Sequence, residues 1–363
     1  MSALSSELRP LIDLMLKKNA SDLILTAGER PVLRIVGDLA PVEGWKPLSP
    51  EDVKRLAYSL LTPEQQKTFE RTLEMDSSFG IEGTARFRLN IFYQRGAVGA
   101  AIRMLHHQIP TLESLGVPEI IKKWLRVPHG ILITTGPTGS GKSTSQAAMI
   151  GYLNQHKRYH VITIEDPIEY THPHGTCTIE QREVGRDTHS FSDALKRVFR
   201  QTPDVIMVGE MRDRETFEIA LQLAETGHLV LATLHTGDST QALSRIIDVF
   251  PAEQQQQVRV QLSLSLVGVL VQQLVPTLDG EGRVLATEVL EVTPAVRNLI
   301  RKGELQQIYS VLQTSMNEGM ATMNASLLDL FQRNKISLEQ AKLFTTRQKE
   351  FEQLTQRETK VYA

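Results

Sequence analysis

The chain has 363 residues, 41% of them hydrophobic and 23% charged, the composition of a globular protein with room for two or three domains and a sizeable core. Net charge is −2, and it is evenly spread: residues 1–105 carry 14 basic against 13 acidic side chains and the remainder 26 against 29, so no basic arm marks a sequence-independent nucleic-acid binder. A single cysteine, Cys177, excludes an intramolecular disulfide framework and a cysteine-based zinc site, and is expected to be a small, partly buried side chain.

The first ten residues lack a basic start followed by an apolar core, and no apolar run approaches the ~18 residues of a membrane span. A cytoplasmic chain that meets a membrane only through partners is therefore expected. In chain order, the pattern predicts an amphipathic helix over residues 4–18 and short strands over 21–26 and 32–36, with Gly28 and Gly37-Asp38 as turns. Ser49-Pro-Glu-Asp52 has the form of a helix start, with Ser49 as N-cap and Pro50 in the first turn, and that helix runs to about 61 before a second opens near Pro63. Residues 85–105 alternate (Phe87, Leu89, Ile91, Tyr93), and Gly96 and Gly99 break them into a hairpin. Residues 1–105 thus form a small α+β domain. Residues 106–128 follow as a linker with one short helix, bounded by Pro110, Pro118 and Pro128.

From residue 129 strands and helices alternate, which argues for a mostly parallel sheet with helices packed on it. The strands are 131–135, 160–165, 205–209 and 229–234, continuous apolar runs that suit burial on both faces. This α/β core spans residues 129–275. After Pro251 the chain is expected to be largely helical, with a β-like interruption at 283–292; residues 276–363 form a mainly helical C-terminal region, and the polar tail beyond Gln348 is expected to be a frayed, solvated end.

The chemistry is announced between the first of these strands and its helix. The run Gly136-Pro137-Thr138-Gly139-Ser140-Gly141-Lys142-Ser143 satisfies the spacing of a phosphate-binding loop. Its glycines let the backbone N–H groups close on a β-phosphate, Lys142 spans the β- and γ-phosphates, and the Ser143 hydroxyl ligates magnesium. The helix that follows, with Thr144 in its first turn, turns the positive end of its dipole to the same phosphates. The implied ligands are ATP and Mg2+. Hydrolysis needs carboxylates at the same sheet edge. Glu165 closes one strand and is assigned as general base or water positioner. Glu210 follows another and is assigned an indirect magnesium contact through water. Asp166 and Glu169 fit salt-bridging or helix-capping as well as chemistry. His235, at the C-terminal end of its strand, is placed to sense the γ-phosphate, whereas His228, at the opposite end, suits a structural role.

Taken together, the phosphate loop, Thr163-Ile-Glu-Asp-Pro-Ile-Glu169, Pro203-Asp-Val-Ile-Met-Val-Gly-Glu-Met-Arg-Asp213, and Ala224-Glu-Thr-Gly-His228 through Thr233-Leu-His-Thr236 resemble the secretion ATPases of type IV pilus and type II secretion systems. Within these the chain is similar to the pilus retraction ATPases, the PilT group, as are Ala20-Ser-Asp-Leu23 and Thr293-Pro-Ala-Val-Arg-Asn-Leu-Ile-Arg301. The resemblance covers nearly the whole chain. It implies an N-terminal PAS-like domain, a C-terminal RecA-like P-loop domain with a helical extension, ATP between the two, and a homohexameric ring. It also implies Glu165 as the catalytic glutamate of an acidic box, Glu210 as the end of a Walker B box, and Arg88 and Arg103 as arginines that complete the site. Arg86 and Arg95 are close competitors for that pair.

Sister extension and secretion ATPases usually carry a further N-terminal domain and a tetracysteine zinc site. With its first P-loop glycine at 136 and one cysteine, this sequence is expected to carry neither, and the expectation is retraction. The implied function is an ATPase motor at the cytoplasmic face of the inner membrane, partnered by an inner-membrane platform protein and by a second retraction ATPase. The alternatives are an accessory ATPase of the PilU group and a nucleic-acid-translocating RecA-like motor; the near-neutral N-terminal domain and the lack of an aromatic-basic stripe argue against the latter.

Overall fold

The structure is a computed structural model in which residues 5–35, 38–81, 85–105, 109–280 and 282–359 are described. Leu4, Val36, Gly37 and His106, on which the predicted first helix, second strand, second turn and linker begin or end, lie outside these residues. The chain divides into two compact units, Met1–Gln108 with Glu169–Thr171, and Ile109–Ile168 with His172–Ala363.

The N-terminal unit comprises α1 (Arg9–Lys17), β1 (Asp22–Leu25), β2 (Val32–Ile35), β3 (Asp38–Pro41), α2 (Pro50–Tyr58), α3 (Pro63–Thr72), β4 (Glu74–Ile81), β5 (Ala85–Gln94) and β6 (Ala97–Leu105). Its six strands form one antiparallel sheet in the order β3-β2-β1-β6-β5-β4. Helix starts are chemically marked. Ser49 accepts the Asp52 N–H at 3.1 Å while the Asp52 carboxylate accepts the Ser49 N–H at 3.0 Å, and Thr62 and Gln65 repeat the arrangement on α3. Each reciprocal pair satisfies two N–H groups that the helix itself leaves without partners. Leu11, Ile12 and Met15 of α1 and Val53 and Leu56 of α2 are buried with Phe87, Leu89 and Ile91, the inward set of β5. Two sequence expectations fail here. Gly99 does not break the hairpin, whose turn is Arg95-Gly96 at φ 47° and 77°; it lies within β6, where an added Cβ would come 2.8 Å from the Phe92 ring. Asp38 opens a strand instead of closing a turn, and β4 is a further strand that its polar, weakly alternating sequence did not signal.

The second unit contains α4 (Ile120–Trp124), β7 (Gly130–Thr135), α5 (Lys142–His156), β8 (His160–Glu165), β9 (Thr178–Glu183), α6 (Phe191–Val198), β10 (Val205–Val208), α7 (Arg214–Glu225), β11 (Leu229–Leu234), α8 (Ser239–Asp248), α9 (Ala252–Ser265), β12 (Leu266–Pro276), β13 (Arg283–Glu291), α10 (Pro294–Lys302), α11 (Ile308–Thr314), α12 (Met323–Gln332), α13 (Leu338–Phe344) and α14 (Gln348–Thr359). The seven strands run β13-β12-β7-β11-β10-β8-β9, parallel except for the β12–β13 pair.

Alternate residues of each central strand feed two different cores. Ile131, Ile133, Ile162, Ile164, Ile206, Val208, Val230 and Ala232 pack under α6, α7, α8 and α9. Leu132, Val161, Val205, Met207, Leu229 and Leu231 pack with Trp124 of α4 and Met149, Ile150 and Leu153 of α5. With both faces covered, neither set of alternate positions can be polar, which is why these strands read as unbroken apolar runs. The stretch from Ile109 to Val127 contributes Leu112, Val117, Ile121 and Trp124 to the second of these cores.

Past Pro251 the structure corrects the sequence twice. An eleven-residue strand, β12, follows α9 without a break; the run Leu-Ser-Leu-Ser-Leu-Val-Gly-Val-Leu-Val fits helix and strand periods alike, so its boundary was not legible. The polar tail is helix α14 and not a frayed end: Phe351 is fully buried in the main core and the Tyr309 hydroxyl donates to the Glu350 carboxylate at 2.8 Å.

Candidate active site

Parallel register assembles the site. Thr135 of β7 pairs with Leu234 of β11, Ala232 of β11 with Val208 of β10, and Val208 with Ile164 of β8. Four neighbouring strands therefore release the loop from Gly136, His235, Glu210 and Glu165 at one edge of the sheet, the C-terminal edge where open α/β folds take their ligands.

The loop is shaped by exclusion. Gly136 has φ 148°, and an added Cβ would lie 2.2 Å from the Gln272 carbonyl oxygen of β12 and 2.7 Å from Ser140 Oγ. No side chain fits there, so the backbone of the loop closes on β12. Pro137, Thr138 and Gly139 form the exposed crest, Ser140 is buried beneath it with its hydroxyl unpartnered, and Gly141 caps α5 in the left-handed region. Ser143 is exposed and Thr144 half-buried in the first turn. Lys142 is buried, and its ammonium donates to the carbonyls of Gly136 at 2.8 Å and Pro137 at 2.9 Å. The two carbonyls are neutral acceptors, and a phosphate would be a stronger one.

Lys142 also meets His235 Nδ1 at 3.4 Å, and His235 Nε2 meets Glu210 Oε1 at 3.3 Å. An ammonium can only donate, so Nδ1 accepts and the ring proton sits on Nε2, facing the carboxylate. Glu210's other oxygen, Oε2, takes the Arg212 guanidinium at 2.7 Å. That guanidinium, with His235 adding to it, holds the Glu210 carboxyl below the ordinary carboxylate range despite partial burial that acts the other way. The connector carrying both residues is fixed at each end. Gly209 N–H donates to the Ile164 carbonyl at 2.8 Å, Met211 N–H to Thr233 at 3.3 Å, and Asp213 caps α7 through the Thr216 N–H at 2.9 Å.

Glu165 is buried at the end of β8, and its Oε1 accepts from the Thr163 hydroxyl at 2.6 Å and the Gln181 amide at 3.1 Å. Thr163 and Gln181 are register partners across β8 and β9, so the sheet itself orients the carboxylate. The loop after β11 is tied down by Thr135, whose hydroxyl accepts the Thr236 N–H at 2.8 Å.

The candidates thus divide. Lys142, His235 and Glu210 form one connected chain, and Glu165 stands on the adjoining strand at the same edge. Arg88 and Arg103 belong to the N-terminal unit, directly opposite each other across β5 and β6. Arg88 faces Asp76 at 3.5 Å, and Arg103 reaches Asp22 at 2.8 Å, with Arg34 on the other oxygen of Asp22. Arg86 bonds the Ser78 hydroxyl, and Arg95 sits in the turn. His228 is held by Leu223 O and Thr226 Oγ1. Cys177 is fully buried, with Tyr159 N–H donating to its sulfur. Sequence reasoning gave no role to Arg212, Thr163, Gln181 or Thr135. Only Arg212 carried a signal, a cation two residues from an acid in a strand-to-helix connector.

The family model described as type II/IV secretion system protein matches residues 2–342. The type IV pilus ATPase PilU of Pseudomonas aeruginosa is 47% identical over 335 residues, 92% of this chain and 87% of its own length. The type IV pilus retraction ATPase PilT of the same organism is 46% identical over 336 residues, 93% of this chain and 97% of its own. A crystal structure of the pilus retraction motor PilT with bound ADP superposes with a TM-score of 0.89 at 48% identity, covering 94% of this chain and 98% of that one. With its phosphate loop, acidic strand ends and histidine gathered at one sheet edge, the chain belongs to the type II/IV secretion system protein family, among its type IV pilus retraction ATPases.

Proposed function

We propose that this chain is the subunit of a hexameric motor that hydrolyses Mg-ATP to retract a type IV pilus, working at the cytoplasmic face of the inner membrane against a platform protein. The observation that carries the proposal is the connected chain Lys142–His235–Glu210 beside the buried Glu165, at the edge where the phosphate loop opens. The loop's missing Cβ at Gly136 and the unpartnered Ser140 hydroxyl suit a closely wrapped phosphate. Ser143 and Glu210 offer the hard oxygen donors that magnesium takes. Those two would hold the ion, which when bound neutralises charge on the β- and γ-phosphates. On nucleotide binding Lys142 exchanges loop carbonyls for phosphate oxygens. Glu165, oriented by Thr163 and Gln181, accepts the proton of the attacking water, and His235 reports the γ-phosphate to Glu210. Arg88 and Arg103 are proposed to supply positive charge to the same nucleotide from the N-terminal unit.

Purified full-length protein is expected to turn over ATP with magnesium. Glu165→Gln should lower turnover by about 10²- to 10⁴-fold, the usual worth of a positioned general base, while a fluorescent ATP analogue still binds. An inert wild-type protein, or an undiminished variant, overturns the assignment. The near-equal identities to PilU and PilT favour one second reading, an accessory ATPase acting with another retraction motor. Deleting the gene from a piliated host should abolish twitching; normal twitching after deletion selects the accessory role.

A further inference from the structure

Arg212 is engaged in a way the proposed reaction does not use. Glu210 has two carboxylate oxygens, and each already has a partner: Arg212 Nη2 at 2.7 Å on Oε2 and His235 Nε2 at 3.3 Å on Oε1. A carboxylate oxygen can accept a second hydrogen bond, but a magnesium ion held near Glu210 through water would bring a dication close to the guanidinium, and the two would repel each other. Arg212 is the mobile partner. Its side chain is 68% exposed, so leaving the ion pair costs little in a screened setting. His235, by contrast, is also tied to Lys142.

A second acceptor lies within the field of Arg212. Asp166 favours the charged guanidinium from the next strand end. Register sets Asp166 beside Glu210, the present partner of Arg212: Ile164 of β8 pairs with Val208 of β10, and Asp166 and Glu210 each stand two residues further on. Asp166 is exposed, so it can receive an arginine without being desolvated.

Given the magnesium-nucleotide site proposed above, we infer that Arg212 is a latch: it caps Glu210 while the site lacks its metal, and passes to Asp166 when Glu210 turns to the metal-bound water. Arg212 is then a positioning residue. It sets the magnesium concentration at which the loaded arrangement forms, and Asp166 is the far stop of its movement.

The test titrates magnesium into full-length protein saturated with a fluorescent ADP analogue and reads the fluorescence change, with no turnover needed. Arg212→Gln should lower the magnesium midpoint by about three- to fivefold, the scale of one exposed charge-assisted pair. Asp166→Asn should raise it by a similar factor. Simple through-space charge predicts the same two signs, so the double variant decides. For a latch, Asp166→Asn has no effect once Arg212 is gone. Additive shifts, or midpoints that do not move, overturn the inference while leaving the nucleotide site standing. A wild-type protein that binds the analogue with no response to magnesium overturns both. Both side chains are exposed, and matching thermal melts of the variants exclude misfolding as the cause of a shift.

Discussion

At the scale of single residues, close approach decides more than charge does. Gly136 shows this most directly, because its absent side chain is what lets the phosphate loop lie against the Gln272 carbonyl of β12. Gly136→Ala must push the two backbones apart. Denaturant unfolding should show a loss of about 1–3 kcal/mol, the usual cost of overpacking, together with lost nucleotide binding; a variant that binds normally would mean the loop has slack the structure does not show. Glu165 and Glu210 sit on adjacent strands yet are held differently. Glu165 is oriented by neutral donors, Thr163 and Gln181, and Glu210 by an arginine and a histidine. The arginine and histidine favour the ionised form of Glu210, which a metal-directed carboxylate needs. The sequence made both glutamates visible because each ends an apolar strand. Of their partners, Gln181 was invisible, because it acquires meaning only once β8 and β9 are neighbours, and Arg212 showed only as a cation two residues from an acid.

Whole elements are stabilised here by a few buried groups at their ends. The start of α8 is held by Glu288 of β13, whose Oε1 accepts the Ser239 N–H at 2.9 Å and the Ser239 hydroxyl at 2.7 Å. Burial raises the Glu288 carboxyl above its ordinary 4.5, with Asp238 adding repulsion. A carboxyl raised in the native state keeps its proton longer than in the unfolded chain, so stability falls as pH rises from 4.5 towards the folded value. Glu288→Gln keeps the acceptor and removes the charge. Its urea midpoint should gain on wild type as pH is raised through that window, and a constant difference would argue against a desolvated carboxyl. Helix α14 depends on one ring. Phe351→Ala should cost about 3–5 kcal/mol by the cavity it leaves, and a loss under about 0.5 kcal/mol, the level of a surface change, would mean that α14 is not docked. Polar composition hid this helix: eight of its twelve residues are Gln, Lys, Glu or Arg before Phe351 and Leu354 are weighed.

For the molecule as a whole, two units with separate cores divide the proposed chemistry. If Arg88 and Arg103 act on nucleotide, Arg88→Ala and Arg103→Ala should each reduce ATP turnover by about 10³-fold or more, the range known for arginines that reach a γ-phosphate, with little change in nucleotide affinity. Asp22 keeps Arg34 and Ser21 when Arg103 is lost, so a melting temperature near wild type is expected; a large drop with turnover intact would mark the pair as structural. Fold class, the phosphate loop and the strand ends bearing Glu165, Glu210 and His235 were all legible without coordinates. Each is a local pattern, glycine spacing or an apolar run ending in one charged residue, and local patterns survive in a linear string. Strand β12 under the loop, the docking of α14, the choice of Arg212 as partner to Glu210 and the sheet-held orientation of Glu165 came only with the folded chain. Each depends on which segments, distant in sequence, become neighbours, and that is set by the packing of two cores on one parallel sheet.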